Sequence, residues 1–197
     1  MFAGHFGLAA IVKAKRPEVP LWALMLSTQL LDVVFVPLYL SGIETIEPVA
    51  GDGYGEAVIH ADYTHSLLGA LVLAAVAGWI ASRWQGKRIG SVIGAVVFSH
   101  WLLDLLVHRS DLPLLPGNLG QWPLLGFELW KYPVVSIGLE VALIALGAIF
   151  YFRNVLQRAG SADGHRRSRA KTWALTSGIV MTGLLVLSLV TDVLGVG

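Results

Sequence analysis

The chain has 197 residues, 55% of them hydrophobic and 14% charged, with a mean hydropathy of +0.69, which excludes a soluble domain and points to an integral membrane protein. A formal net charge of +1 leaves no nucleic-acid footprint. The absence of cysteine excludes disulfides, thiolate nucleophiles and sulfur-ligated zinc or iron, so any metal has to be held by His, Asp and Glu.

The first apolar stretch, Phe2 to Ala14, is interrupted by His5 and Lys13 and runs into Lys13-Ala-Lys-Arg-Pro17. At about 1.5 Å per residue it reaches only about 20 Å, so it reads as a short N-terminal helix rather than a crossing. It lacks the basic start and small-residue cleavage site of a secretory signal. Leu21 to Leu40 is long enough to span, with Asp32 near its middle and Pro37 near its end. Ser41 to Asp62 is polar, glycine-rich and acidic, carrying Glu44, Glu47, Asp52, Glu56 and Asp62, and is expected to be a loop. The next span, 65–84, opens on Asp62-Tyr-Thr-His-Ser66, where Asp62 or Thr64 is placed to cap a helix.

The span 89–108 holds the stretch Phe98 to His108, in which His100, Asp104 and His108 stand at i, i+4 and i+8. On a helix they share a stripe about 80° wide. A carboxylate and two imidazoles are costly in hydrocarbon, so this stripe has to face protein, water or a metal. Residues 109–132, rich in Pro, Trp and Leu, are expected to lie at the headgroup level, anchored by Trp122, Trp130 and Tyr132. Spans at 133–152, with Glu140 inside, and 172–194, free of charge until Asp192, complete the chain. Trp22, Trp79, Trp84 and Trp173, near span ends, read as belt residues, and His165, in a basic loop, as solvated.

The expected fold is all-α: a single membrane domain, a polytopic transmembrane helical bundle with four full spans plus the short N-terminal helix, although five stretches, 21–40, 65–84, 89–108, 133–152 and 172–194, are of spanning length. With alternating spans, the Lys/Arg clusters at 13–16, 83–88 and 153–171 fall on one side, and 41–62 and 109–132 on the other. The positive-inside rule then places the basic loops in the cytoplasm, as in a bacterial-type inner membrane. At helical rise, His5, Asp32, His100 and Glu140 all reach a depth of roughly 12–19 Å above those basic clusters. Asp104 and His108 lie one and two turns farther out, near the entry of His60 and His65. This gives a band of His and carboxylate open toward the outside. No Lys or Arg matches its depth, so these carboxylates have histidine or a cation for a partner. For His60 and His108, a wet interfacial position is an equal alternative.

His60-Ala-Asp-Tyr-Thr-His-Ser66 followed by Ser99-His100-x-x-x-Asp104 resembles the YdjM-like inner-membrane metal-dependent hydrolases. That family carries an N-terminal His, a buried Asp in the second helix, an H-R-x-x-T-H-S element and an H-x-x-x-D element. The resemblance covers most of residues 1–140, with His5, Asp32, His60, Thr64, His65, Ser66, His100 and Asp104 in corresponding places. The last two spans share only hydropathy and Glu140. Ala61 stands where the family has Arg, and Gln29-Leu-Leu-Asp32 replaces Pro-Asp-x-Asp. If that Arg binds a substrate anion, the departure implies that this chain has lost the contact or uses Arg109. The H-x-x-x-D pattern also resembles zinc-dependent phospholipase C.

The resemblance and the residues together lead to the expectation that His5, Asp32, His60, His65, His100 and Asp104 hold one or two divalent ions. Zinc is the first choice, and the same ligands admit manganese, iron or nickel. Glu140, Asp32 and His108 are the candidate catalytic groups, with Glu140 or an unligated Asp as base. The implied activity is metal-assisted hydrolysis of a lipid or lipid-linked phosphate or ester from the outer side. The alternatives are an ion- or proton-coupled transporter and a membrane subunit with a structural metal.

Overall fold

A computed structural model describes residues 2–49, 55, 57–161 and 164–194; Asp52, Glu56 and residue 197 lie outside the described residues. The chain forms an all-α bundle with one small hairpin. Helix α1 (Phe2–Lys15) ends before Pro17, which cannot extend it. Helices α2 (Leu21–Thr28) and α3 (Leu30–Leu40) follow, then strands β1 (Thr45–Pro48) and β2 (Ala57–His60), paired antiparallel with Thr45 opposite His60. Helices α4 (Leu67–Gln85), α5 (Lys87–Val107), α6 (Pro133–Gly160) and α7 (Gly164–Val193) complete the fold.

Four helices are long and apolar enough to cross a membrane: α4, α5, α6 and the Ser168–Thr191 part of α7. The expected span 21–40 is instead two helices bent by 49° around Gln29, and taken as one broken span it is a fifth crossing. The expected loop 41–62 contains the β1–β2 hairpin. The cap of α4 is Ser66, rather than Asp62 or Thr64, its hydroxyl oxygen accepting the Gly69 amide at 3.0 Å. Helix α6 runs 28 residues, about 42 Å, and so extends past a hydrocarbon core of about 30 Å.

Lipid removes the usual hydrophobic drive between helices, so they associate where small residues let backbones approach. Helix α1 packs along α6 in this way: a Cβ at Gly7 would lie 2.7 Å from the Leu143 carbonyl, and one at Gly147 would strike the Gly7 backbone. Gly86, at φ +89°, closes the one-residue turn between α4 and α5, a left-handed conformation that costs glycine little. Gly90 and Gly94 then lie against Gly78 and Ala74 across that helix pair. Contacts of His5 with Asp104 and of the Ala14 carbonyl with Asn154 run α1 antiparallel to α5 and parallel to α6. The described basic residues of α1, α4, α5, α6 and α7 therefore gather at one end of the bundle, and the hairpin lies at the other.

Residues 109–132 have no long helix and hold only two short 3₁₀ turns. They fold over the hairpin end, bridged by Leu112 to Leu125, by Leu67 and Leu68 amides to the Pro113 and Leu114 carbonyls, and by the Gly117 amide to the Asp62 carbonyl. Trp122 and Tyr132 are exposed, but Trp130 is buried with its ring 4.3 Å from the His108 ring, so it packs the interior instead of anchoring the surface. Trp22, Trp79, Trp84 and Trp173 are all exposed.

Candidate metal centre

Six ionisable side chains from three helices and two loop turns converge below the hairpin end. His5 comes from α1, Asp32 from α3, His65 from the turn before α4, and His100 and Asp104 from adjacent turns of α5. His108 follows them. The expected helical stripe stops short of it: α5 ends at Val107, and His108 has extended dihedrals, φ −55° and ψ 148°. It still turns inward, Nε2 lying 4.0 Å from Asp104 Oδ2. His5, His65, His100, Asp104 and His108 are each at most 4% exposed, whereas the Asp32 side chain is 36% exposed.

The central distances are short and regular. His65 Nε2 lies 3.3 Å from His100 Nε2, 3.3 Å from Asp32 Oδ1 and 3.7 Å from Asp104 Oδ2. His100 Nε2 lies 3.5 Å from Asp32 Oδ1 and 2.8 Å from Asp104 Oδ2. Two triads of ligand atoms result, Asp32, His65 and His100, and His5, His100 and Asp104, sharing His100; metal–ligand bonds of about 2.0–2.1 Å put neighbouring ligand atoms about 3.3 Å apart, close to the 3.3–3.5 Å separations of the first triad. Asp104 Oδ1 turns the other way, to His5 Nε2 at 3.1 Å, and the His5 ring stacks on His100 at 3.9 Å.

The far nitrogen of each of three histidines explains their orientation. At the α2–α3 break the Thr28 carbonyl faces His100 Nδ1 at 2.6 Å, and a carbonyl can only accept, so Nδ1 carries the proton. His108 Nδ1 donates to Asp111 Oδ1 at 3.0 Å, while Asp111 Oδ2 accepts the Ile59 amide from the hairpin at 3.1 Å. For His65 the link has two steps. The fully buried Glu44 carboxylate accepts the Tyr63 and Thr64 amides, each at 2.9 Å, and the Thr64 hydroxyl at 3.0 and 3.1 Å. With its proton turned to Glu44, that hydroxyl accepts from His65 Nδ1 at 2.9 Å. With Nδ1 so engaged, Nε2 of all three histidines faces inward, and His65 Nε2 and His100 Nε2, 3.3 Å apart among carboxylate oxygens, are placed to hold a cation.

His60 is not brought into this group. It ends β2, half-exposed, with Nε2 3.7 Å from Glu47. Glu140 is fully buried on α6 and accepts the Gly4 amide at 3.3 Å, beside His5 rather than within the four-atom cluster. Arg109 spends one guanidinium nitrogen on the Gly55 carbonyl at 3.3 Å, and Ala61, where the resembling family has Arg, is buried. The end expected to open outward is roofed by the folded 109–132 segment with Trp130 and Asp111, which leaves Asp32, about one-third exposed, as the accessible edge of the group. Glu44 and Asp111 went unread in the sequence as partners of the site; an acid three residues after His108 was the one available signal, and Glu44 had none.

No protein-family model, curated protein or solved structure matches this chain.

Proposed function

We propose that this protein is a membrane-embedded metal-dependent hydrolase acting on a lipid or lipid-linked phosphate or ester. The observation that carries the reading is the convergence of Asp32 Oδ1 and Asp104 Oδ2 on His65 Nε2 and His100 Nε2 at 2.8–3.7 Å, with the outer atoms fixed by Thr28, Thr64 and Asp104's second partner His5. The N/O donor set without sulfur suits zinc, and admits manganese or iron. The resemblance to the YdjM-like hydrolases supports the same assignment.

In this reading His65, His100 and Asp104 would hold the ion from the buried side, with the part-exposed Asp32 side left to water. A divalent ion, if bound there, would supply Lewis-acid chemistry, lowering the pKa of a bound water toward about 7 and stabilising negative charge on oxygen. Asp32, at the accessible edge, is better placed than Glu140 to receive the water's proton, because Glu140 is turned to the Gly4 backbone. The neighbouring Val33 and Val36 are exposed on α3, so a substrate reaching Asp32 arrives beside lipid-facing surface, which supports a lipidic substrate.

The test is turnover without a gradient. Detergent-purified protein should hydrolyse a phospholipid or isoprenoid phosphate, lose activity on chelation and regain it with zinc or manganese. Metal- or proton-gradient-dependent flux in liposomes, with no turnover across phosphate and acyl esters, would replace the hydrolase by a transporter.

A further inference from the structure

A second feature lies at the opposite, basic end and owes nothing to the metal reading. Helices α1 and α5 leave between them an open groove of about 300 Å³, walled by Leu8, Val12, Val92 and Val96, with Lys15 and Arg16 at its end. Leu8 to Arg16 is eight helical steps, so the groove extends about 12 Å along α1. Ser99, at its deep end, spends its hydroxyl on the Val96 carbonyl at 2.6 Å, which leaves an apolar wall.

The charge at the mouth is one-sided. Lys13 donates to the Pro17 and Val19 carbonyls, at 2.8 Å each. Burial, and then the nearby Arg158 guanidinium, hold its ammonium below the ordinary lysine range. Lys15 Nζ stands 5.9 Å from the Phe150 ring, and the Ala14 carbonyl is taken by Asn154 from α6. Among the described residues the nearby acid is Glu18, 3.9 Å from Arg16 with both side chains 41% exposed, a pair too wet to neutralise the site. Lys15 and Arg16 therefore stand at the end of an apolar slot, with Lys13 and Arg158 adding positive charge nearby, against one solvated carboxylate.

We infer that this groove seats an anionic phospholipid, its acyl chain against Val12 and Val92 and its phosphate on Lys15 and Arg16. Charge complementarity selects the occupant: a zwitterionic lipid offers the same chain but carries a cation of its own against that mouth.

Native mass spectrometry of the full chain in non-ionic detergent tests this with phosphatidylglycerol and phosphatidylcholine of identical chains. Phosphatidylglycerol should be retained about 30-fold more strongly, the worth of two cations at a lipid surface. The double substitution Lys15→Gln, Arg16→Gln should bring retention down to the phosphatidylcholine level. Ala95→Trp, on the exposed wall of the groove, should displace the chain while leaving both cations in place. Lys171→Gln, also basic and exposed, should change nothing. Equal retention of the two lipids by the unaltered protein would overturn the inference, as would a preference that survives both groove variants. A loss in Lys171→Gln as large as in the double variant would also overturn it, by making the effect one of diffuse charge. Metal content, read on the same samples, keeps this result separate from the fate of the hydrolase reading.

Discussion

Replacing Thr64 by Val removes one hydroxyl from the link between Glu44 and His65 while keeping the side chain's shape. In the native arrangement that hydroxyl donates to Glu44 and accepts from His65 Nδ1, so its loss frees the imidazole to rotate or to move its proton to Nε2. Either change withdraws one ligand atom. Outer partners of metal-binding histidines are worth 10–100-fold in affinity, about 1.4–2.7 kcal/mol, and zinc affinity of Thr64→Val should fall by that factor. The fold should survive, because Glu44 keeps the Tyr63 and Thr64 amides; losing one buried hydrogen bond costs about 1–3 kcal/mol. Thr64→Ser, which retains the hydroxyl, should bind zinc within about threefold of the native chain. The assay is competition with a chromophoric chelator in detergent. Unchanged affinity in Thr64→Val, or an equal loss in Thr64→Ser, would refute the idea that Glu44 orients His65 through this hydroxyl.

His100→Ala and Asp104→Asn should each abolish stoichiometric metal, read by elemental analysis, whereas His60→Ala, altering a half-exposed residue on β2, should leave it intact. Gly7→Ala should lower the thermal midpoint by about 2–12 °C, since its Cβ would meet the Leu143 carbonyl and overpacking of this kind costs about 1–3 kcal/mol; Gly138→Ala, with open space around it, is the neutral control. The native chain has no cysteine, so single cysteines report topology cleanly: Gly42→Cys should react with an impermeant thiol reagent in intact cells and Gly160→Cys should not.

Periodicity carried a large part of the site. His100 and Asp104, four residues apart, do share a helix face, and counting helical rise from the basic clusters did place His5, Asp32 and His100 at one level. Such counting works where residues follow a helix of fixed rise, survives the 49° bend at Gln29 before Asp32, and fails where a helix gives way to a loop. His108 lies past the end of α5, and its inward turn depends on Asp111 and Trp130, which the chain delivers only after closing the 109–132 segment. His60 is assigned to a hairpin whose register, Thr45 opposite His60, directs it to Glu47 rather than to the cluster. Glu44 looked like one more acid in a polar loop, and its role rests on a buried turn at residues 63–64. The break at Gln29 was hidden in a run of apolar residues, yet it is what turns the Thr28 carbonyl to His100.

The central claim is that His65, His100, Asp32 and Asp104 surround one divalent ion. X-ray absorption of the zinc-loaded protein reads that shell directly. The account predicts one tightly held zinc with only nitrogen and oxygen neighbours at about 2.0–2.1 Å and outer-shell scattering from two imidazoles, lost in Asp104→Asn. Zinc that fails to bind stoichiometrically, or a shell of oxygens without imidazole scattering, would contradict it.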